Sequence, residues 1–273
     1  MPDTPRTRTS LALLPAALVS AAGFALFGLE ARVAGYVVLG VAVVLGLAVG
    51  RALGRDLALV ALGLVVMSAV PITTDVSDAH MVTMGTAMVV AVAGPYLVSR
   101  YVYRDHAVRF PIRTGERWTR LEKGYLVAVP LLGYAVLPVY MMTTGVYRNW
   151  PAVSDPEGIA RLFLGTNVLG LWDELFFVCT VFTLLRRHLP TWQANLLQAV
   201  LFTSFLYDLG FHSWGPVLIY AFALIQGGIF QLTRSLTYVV CVHLLFDLVL
   251  FLVLVHAHNP TWLDVFWYPG GGG

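Results

Sequence analysis

Apolar residues run through this chain in long blocks, separated by short polar stretches, from Leu11 almost to the C-terminus. Nine blocks stand out, at roughly 11–29, 33–50, 57–73, 81–99, 125–146, 161–185, 196–212, 216–233 and 236–256. Each is close to the ~20 residues a helix needs to cross the hydrocarbon core of a bilayer. The pattern predicts an all-α fold: a polytopic transmembrane helix bundle of about nine spans, eight being the alternative count. The first block follows Arg6 and Arg8 and contains Ala21, Ala22 and Gly23, small residues of the kind that precede a signal cleavage. It is long enough to span, and more spans follow, so it is read as an uncleaved first helix.

Composition sharpens this picture. The chain is 58% hydrophobic and only 12% charged, too little charge to cover the surface of a soluble domain. The two cysteines, Cys179 and Cys241, lie inside apolar runs and are read as core thiols, not a disulfide framework or zinc knuckle. The net charge of +2 matters less than where the charges fall. Fourteen of the seventeen basic residues flank alternate ends of the blocks, and only Arg32, Arg148 and Arg161 fall on the other side. The positive-inside rule then places the N-terminus in the cytoplasm and the C-terminus outside.

The stretch Arg100–Lys123 holds seven basic and three acidic residues. It is read as a solvated loop against anionic lipid headgroups, with no nucleic-acid partner. It divides the chain into an accessory membrane segment of about four spans with the basic loop (1–124), a functional core (125–258) and an extracytoplasmic aromatic and glycine tail (259–273).

The chemistry points to that core. Ionisable side chains at membrane depth are costly and usually functional. Spans one to five have none near their centres, whereas the last four carry Asp173, Glu174, Asp208, His212, His243 and Asp247. Glu174 lies thirteen residues after Arg161 and twelve before Arg186, ~18–20 Å from either end at the helical rise. Asp173 is about 100° away around the helix, so it is read as a supporting group pointing away from the Glu174 face. His243 and Asp247 are spaced i,i+4 and project from one face of the last helix, with His243 ~13 Å deep. Asp208 and His212 repeat that spacing on the seventh span. They meet Glu174 only if that span runs on to the break at Trp214-Gly215-Pro216. His256 and His258 are placed at the outer interface, and His80, His106 and His188 in loops. The sequence has no H-E-x-x-H, G-x-S-x-G, Walker or G-x-G-x-x-G pattern, which argues against a zincin-type site and against serine hydrolysis and leaves nucleotide-driven transport or redox work unsupported.

Trp-Asp-Glu-Leu-Phe-Phe at 172–177, Asp-Leu-Gly-Phe-His at 208–212 and His-Leu-Leu-Phe-Asp at 243–247 resemble, in order and helix placement, the three motifs of the CPBP family. These are the membrane-embedded CAAX prenyl endopeptidases and bacteriocin-processing or immunity proteins. The run Gly227–Tyr238, with a short basic loop and Ser235, fits as well, and the resemblance covers roughly 125–256. Four positions depart from the family pattern: Asp173 stands for its first Glu, Val178 for an Arg, Asp208 for a Phe and Asp247 for an Asn.

The resemblance implies an intramembrane endopeptidase acting on a membrane-anchored peptide or protein within the lipid bilayer. It implies that Glu174 activates water, that His212 helps hold the water, and that His243 with residue 247 polarises the scissile carbonyl and its oxyanion. Asp173 and Asp208 are supporting groups. General-base and oxyanion chemistry both fit these residue types. An ionised Asp247 would repel the oxyanion, so either it carries a proton or a cation neutralises it. Glu174, His212, His243 and Asp247 could together hold zinc or manganese, and a metal-free glutamic site is the alternative. No other cofactor is implied. A proton- or ion-coupled transporter using the same acids, and a family member without catalysis acting in immunity or as a scaffold, are the competing readings.

Overall fold

The computed structural model describes residues 5–112 and 117–268, with side chains from Leu11 onward. Arg113 and Glu116 of the basic stretch, the side chains of Arg6 and Arg8, and the closing glycines lie outside the described residues.

The apolar blocks fold as nine helical rods among the described residues. We number them α1 (Pro5–Gly23, continued by a π turn at Phe24–Gly28), α2 (Arg32–Val49), α3 (Arg51–Ser68), α4 (Asp78–Tyr103), α5 (Arg120–Thr144), α6 (Pro156–Leu185), α7 (Thr191–Leu209), α8 (Gly215–Thr233) and α9 (Leu236–His258). Seven of them are long and apolar enough to cross a membrane. The other two, α3 and α7, fall outside that set, and α3 opens with Arg51, Arg55 and Asp56. The chain is an integral membrane protein with the helix-bundle fold its hydrophobic pattern predicts.

Local sequence sets where the rods begin. Ser77 caps α4 by accepting from the His80 amide, Thr119 and Glu122 form a reciprocal capping box at α5, and Ser235 caps α9. Asp155 accepts from the Gly158 amide at 2.8 Å, ahead of Pro156 in the first turn of α6. That bond holds the Asp155 carboxyl below the usual carboxylate range.

Helix α6 is the most enclosed rod, packed against α3, α4, α7, α8 and α9. Its Phe176 stacks on Trp172, and Trp172 and Phe177 pack at a tilt against Phe205 and Phe202 of α7. Gly63 of α3 lies so close to Phe176 that any larger residue would overlap the ring. Helices α1, α3 and α4 contact this core directly, and α2 packs on α1 and α3. Trp172 Nε1 donates to the Met88 carbonyl at 2.9 Å, and Ser20 Oγ donates to the Leu197 carbonyl at 3.0 Å. Lipid is as apolar as leucine, so such contacts between helices rest on dispersion and interhelical hydrogen bonds.

The two ends of the bundle differ in charge. At one end Asp56 of α3 is buried and paired with Arg187 at 2.9 Å and His188 at 2.6 Å. Arg187 also reaches Asp105, 3.1 Å away. Burial alone would raise the Asp105 carboxyl, but hydrogen bonds from Ser99, the Ala107 amide and Arg187 bring it below its ordinary value. One expectation is corrected here: the buried acids are not confined to the second half of the chain, since Asp56 lies in α3. His188 lies in the turn after α6, as expected, and its ring is paired with that acid. Both belong to a clamp joining α3, the end of α4 and the end of α6.

At the other end, His256 is buried and both its ring nitrogens reach tail carbonyls, Leu263 at 2.6 Å and Tyr268 at 3.0 Å. It anchors the tail instead of lying at an exposed interface.

Candidate active site

Midway along α6 the helix changes pitch. The segment Glu174–Phe182 is π-helical, a wider turn than its α-helical flanks. Glu174 is its first residue and is fully buried. Its Oε1 accepts two hydrogen bonds, each 2.7 Å long, one from His243 Nδ1 on α9 and one from Gln226 Nε2 on α8. Gln226 also donates to the Val239 carbonyl at 3.1 Å.

The far edge of the imidazole faces two further carboxylates. His243 Nε2 lies 3.7 Å from Asp247 Oδ1 and 4.0 Å from Asp173 Oδ2. All four side chains are buried, and Asp173 Oδ1, Glu174 Oε2 and Asp247 Oδ2 have no protein partner. Three carboxylates thus surround one imidazole. The placement of Asp173 corrects the expectation that it points away from the Glu174 face. Consecutive residues on the helix reach one ring because that ring has two nitrogens on opposite edges.

Close approach of α6 and α9 makes the cluster possible. Asp247 packs directly on Gly170, and a Cβ at that position would overlap the carboxylate. The i,i+4 spacing predicted from the sequence is kept, because α9 is regular α-helix through both His243 and Asp247.

The second pair does not join them. Helix α7 ends at Leu209, where Gly210 takes a φ of 121° that L side chains rarely adopt. The Phe211 amide bonds back to the Leu206 carbonyl at 3.1 Å and the Gly210 amide to Tyr207 at 3.0 Å, as in a glycine-terminated helix end. His212 therefore lies beyond the helix, exposed, with its ring against Tyr207. Asp208 faces elsewhere, into a polar cleft shared with Glu30 and Arg32. The expectation that His212 and Asp208 share a helical face and gather at Glu174 is not met in this structure.

A small cavity of about 60 Å³ reaches the cluster, lined by His243, Asp247, Phe222 and Tyr140 among others. The Tyr140 hydroxyl donates to the His212 carbonyl at 2.8 Å, so the His212 loop borders this cavity through its backbone. A larger, mostly apolar cavity of about 260 Å³ between α4 and α6 contains none of the cluster residues.

As arranged, the donors do not converge on a metal. The imidazole nitrogens point in opposite directions, His212 is elsewhere, and no group of three His, Cys, Asp or Glu among the described residues has the geometry to hold an ion. Gln226 was missed by the sequence reading. A neutral amide in an apolar run carries no charge signal, and only its depth in α8 could have marked it.

Residues 155–249 match the model of the family described as type II CAAX prenyl endopeptidase Rce1-like. The matched span runs from the cap of α6 into α9 and contains Glu174, Gln226, His243 and Asp247. That segment, about a third of the chain, is similar to the CAAX prenyl endopeptidases, in line with the resemblance carried by its motifs. No curated protein and no solved structure matches the chain significantly.

Proposed function

We propose that this protein is an intramembrane endopeptidase in which Glu174 and His243 act together to hydrolyse a peptide bond of a membrane-anchored substrate. One observation carries the reading: the buried 2.7 Å hydrogen bond between Glu174 and His243, beside a cavity lined by His243 and Asp247. In the reaction Glu174 takes a proton from water. The water oxygen bonds to the scissile carbonyl carbon, and the carbonyl electron pair moves onto its oxygen. His243 donates to that developing oxyanion. The tetrahedral species then collapses, the C–N bond breaks, and the proton held by Glu174 passes to the leaving amine.

A second assignment of roles has its own support. The cavity is lined by His243 but not by Glu174, which favours the imidazole as the group nearest the water, with Glu174 fixing its orientation. The order of losses separates the two. If Glu174 is the base, Glu174→Gln costs at least as much as His243→Ala. If Glu174 only orients the ring, His243→Ala costs more.

The test of function is comparative terminal proteomics of membranes carrying the wild type or Glu174→Gln. Cleavage products present only with the wild type support proteolysis, and identical termini in both overturn it. No step uses a metal, so chelation of divalent ions is expected to leave cleavage intact. Loss of cleavage, restored by zinc or manganese, would return a metal to the site.

We also place the N-terminus on the cytoplasmic side, on the strength of the basic-residue asymmetry. A reporter after Lys123 is then expected to read cytoplasmic and one after Pro260 external. Reporters on the same side would overturn this placement.

A further inference from the structure

We propose that Gln226 is a positioning residue for this site, holding the Glu174 carboxylate so that Oε1 stays on His243 and Oε2 stays free of the protein. The inference rests on the proposed role of the Glu174–His243 pair.

The chemistry of its neighbours fixes how Gln226 must act. Both groups it touches accept hydrogen bonds: the Glu174 Oε1 at 2.7 Å and the Val239 carbonyl at 3.1 Å. Only an NH₂ group, with two protons, serves both, so the amide nitrogen faces them and its oxygen is left without a partner. The residue is fully buried in α8, in the run that otherwise reads as lipid-compatible. A buried amide with an orphaned oxygen is costly there, so it is poorly explained as packing. A carboxylate at this position would face Glu174 with like charge, and an aliphatic residue would leave Oε1 with one donor.

The surroundings show that α8 is seated to present this side chain. On α7, Asn195 donates to the Leu224 carbonyl at 2.8 Å, and Gln198 donates to the Ala223 carbonyl at 2.9 Å and to Asn195 Oδ1 at 2.9 Å. These amides fit because Gly227, the next residue after Gln226, has no side chain, and a Cβ there would overlap Asn195. The amide ladder locks the axial position of α8 against α7. Gln226, next along α8, then bridges from the fixed helix to Glu174 on α6 and to the backbone of α9.

The test compares Gln226→Met, which keeps the length and loses both donors, with Gln198→Met, which breaks the ladder but touches no catalytic group. Purified protein in nanodiscs is read in two ways. Infrared difference spectra against Glu174→Gln report the Glu174 carboxylate stretch. Turnover is followed with a quenched farnesylated peptide ending in a CAAX sequence. Gln226→Met is expected to shift the Glu174 band and to lower kcat roughly 10- to 100-fold with KM little changed, the range for losing one bond to a charged group. Gln198→Met is expected to lower the melting temperature without moving the band.

An unshifted band in Gln226→Met overturns the proposal, whatever the activity. A shifted band in both variants also overturns it, since a general loosening of α8 would then suffice. If the wild type does not cleave the probe, the endopeptidase reading fails on that substrate, while the band still decides Gln226. Should Gln226→Met not fold, Gln226→Asn, one methylene too short to reach, is read in the same way.

Discussion

An aspartate and a histidine four residues apart occur twice, at the end of α7 and within α9, and the structure treats the two pairs in opposite ways. On α9, His243 and Asp247 lie inside an unbroken helix, so both point at α6 and meet Glu174, Asp173 and Gly170. On α7 the chain leaves the helix at Gly210, between Asp208 and His212, and the two side chains go separate ways. Equal spacing gives a shared face only while the helix lasts. The difference is set by one glycine, not by the ionisable residues themselves.

The sharpest test of that difference is the loss of the α9 group and its α6 partner. Glu174→Gln is expected to lower turnover ~10²–10⁴-fold and His243→Ala ~10²–10³-fold, with the fold retained. Measured kcat/KM on a cleaved substrate checks both. An unaffected variant at either position would remove that residue from the chemistry.

Next in size is Gly170. Gly170→Val is expected to push Asp247 off its seat and cost on the order of 10²-fold in turnover, as sub-ångström to ångström misplacements do. Gly165→Val serves as the control, because open space surrounds that position on the same helix. Similar losses in both would show that α6 simply does not tolerate valine.

The α7 pair is expected to matter least. His212→Ala is predicted to keep turnover within a few-fold of wild type, since its side chain is exposed and outside the cluster. Gly210→Ala is expected to cost about 1 kcal/mol of stability or more through its backbone conformation, with little effect on the chemical step. A loss in His212→Ala equal to that in His243→Ala would mean that the 210–214 loop closes over the cavity during turnover.

Much of this was legible in the sequence. Nine apolar blocks gave nine rods, and depth together with i,i+4 spacing picked out Glu174, His243 and Asp247. The miss at His212 had a visible signal, the Gly in Asp-Leu-Gly-Phe-His, which sits where a helix-ending glycine belongs. An ideal α-helix turns Asp173 about 100° away from Glu174, whereas here the helix widens to a π turn from Glu174 onward and the shared partner is two-edged. Asp56 was passed over because, beside Arg55 at the start of α3, it reads as an interfacial charge. Its burial depends on Arg187 and His188, over a hundred residues away. Gln226 and the clamp are tertiary facts of this kind, made by helices whose pairing no local pattern specifies.

The central claim is that Glu174 and His243 form one functional unit, and a double-mutant cycle measures it most directly. With kcat/KM determined for wild type, Glu174→Gln, His243→Ala and the double variant, the account predicts that the double loses little more than the worse single, because groups acting as a unit are strongly non-additive. Losses that multiply across the cycle would show two independent contributions and contradict it.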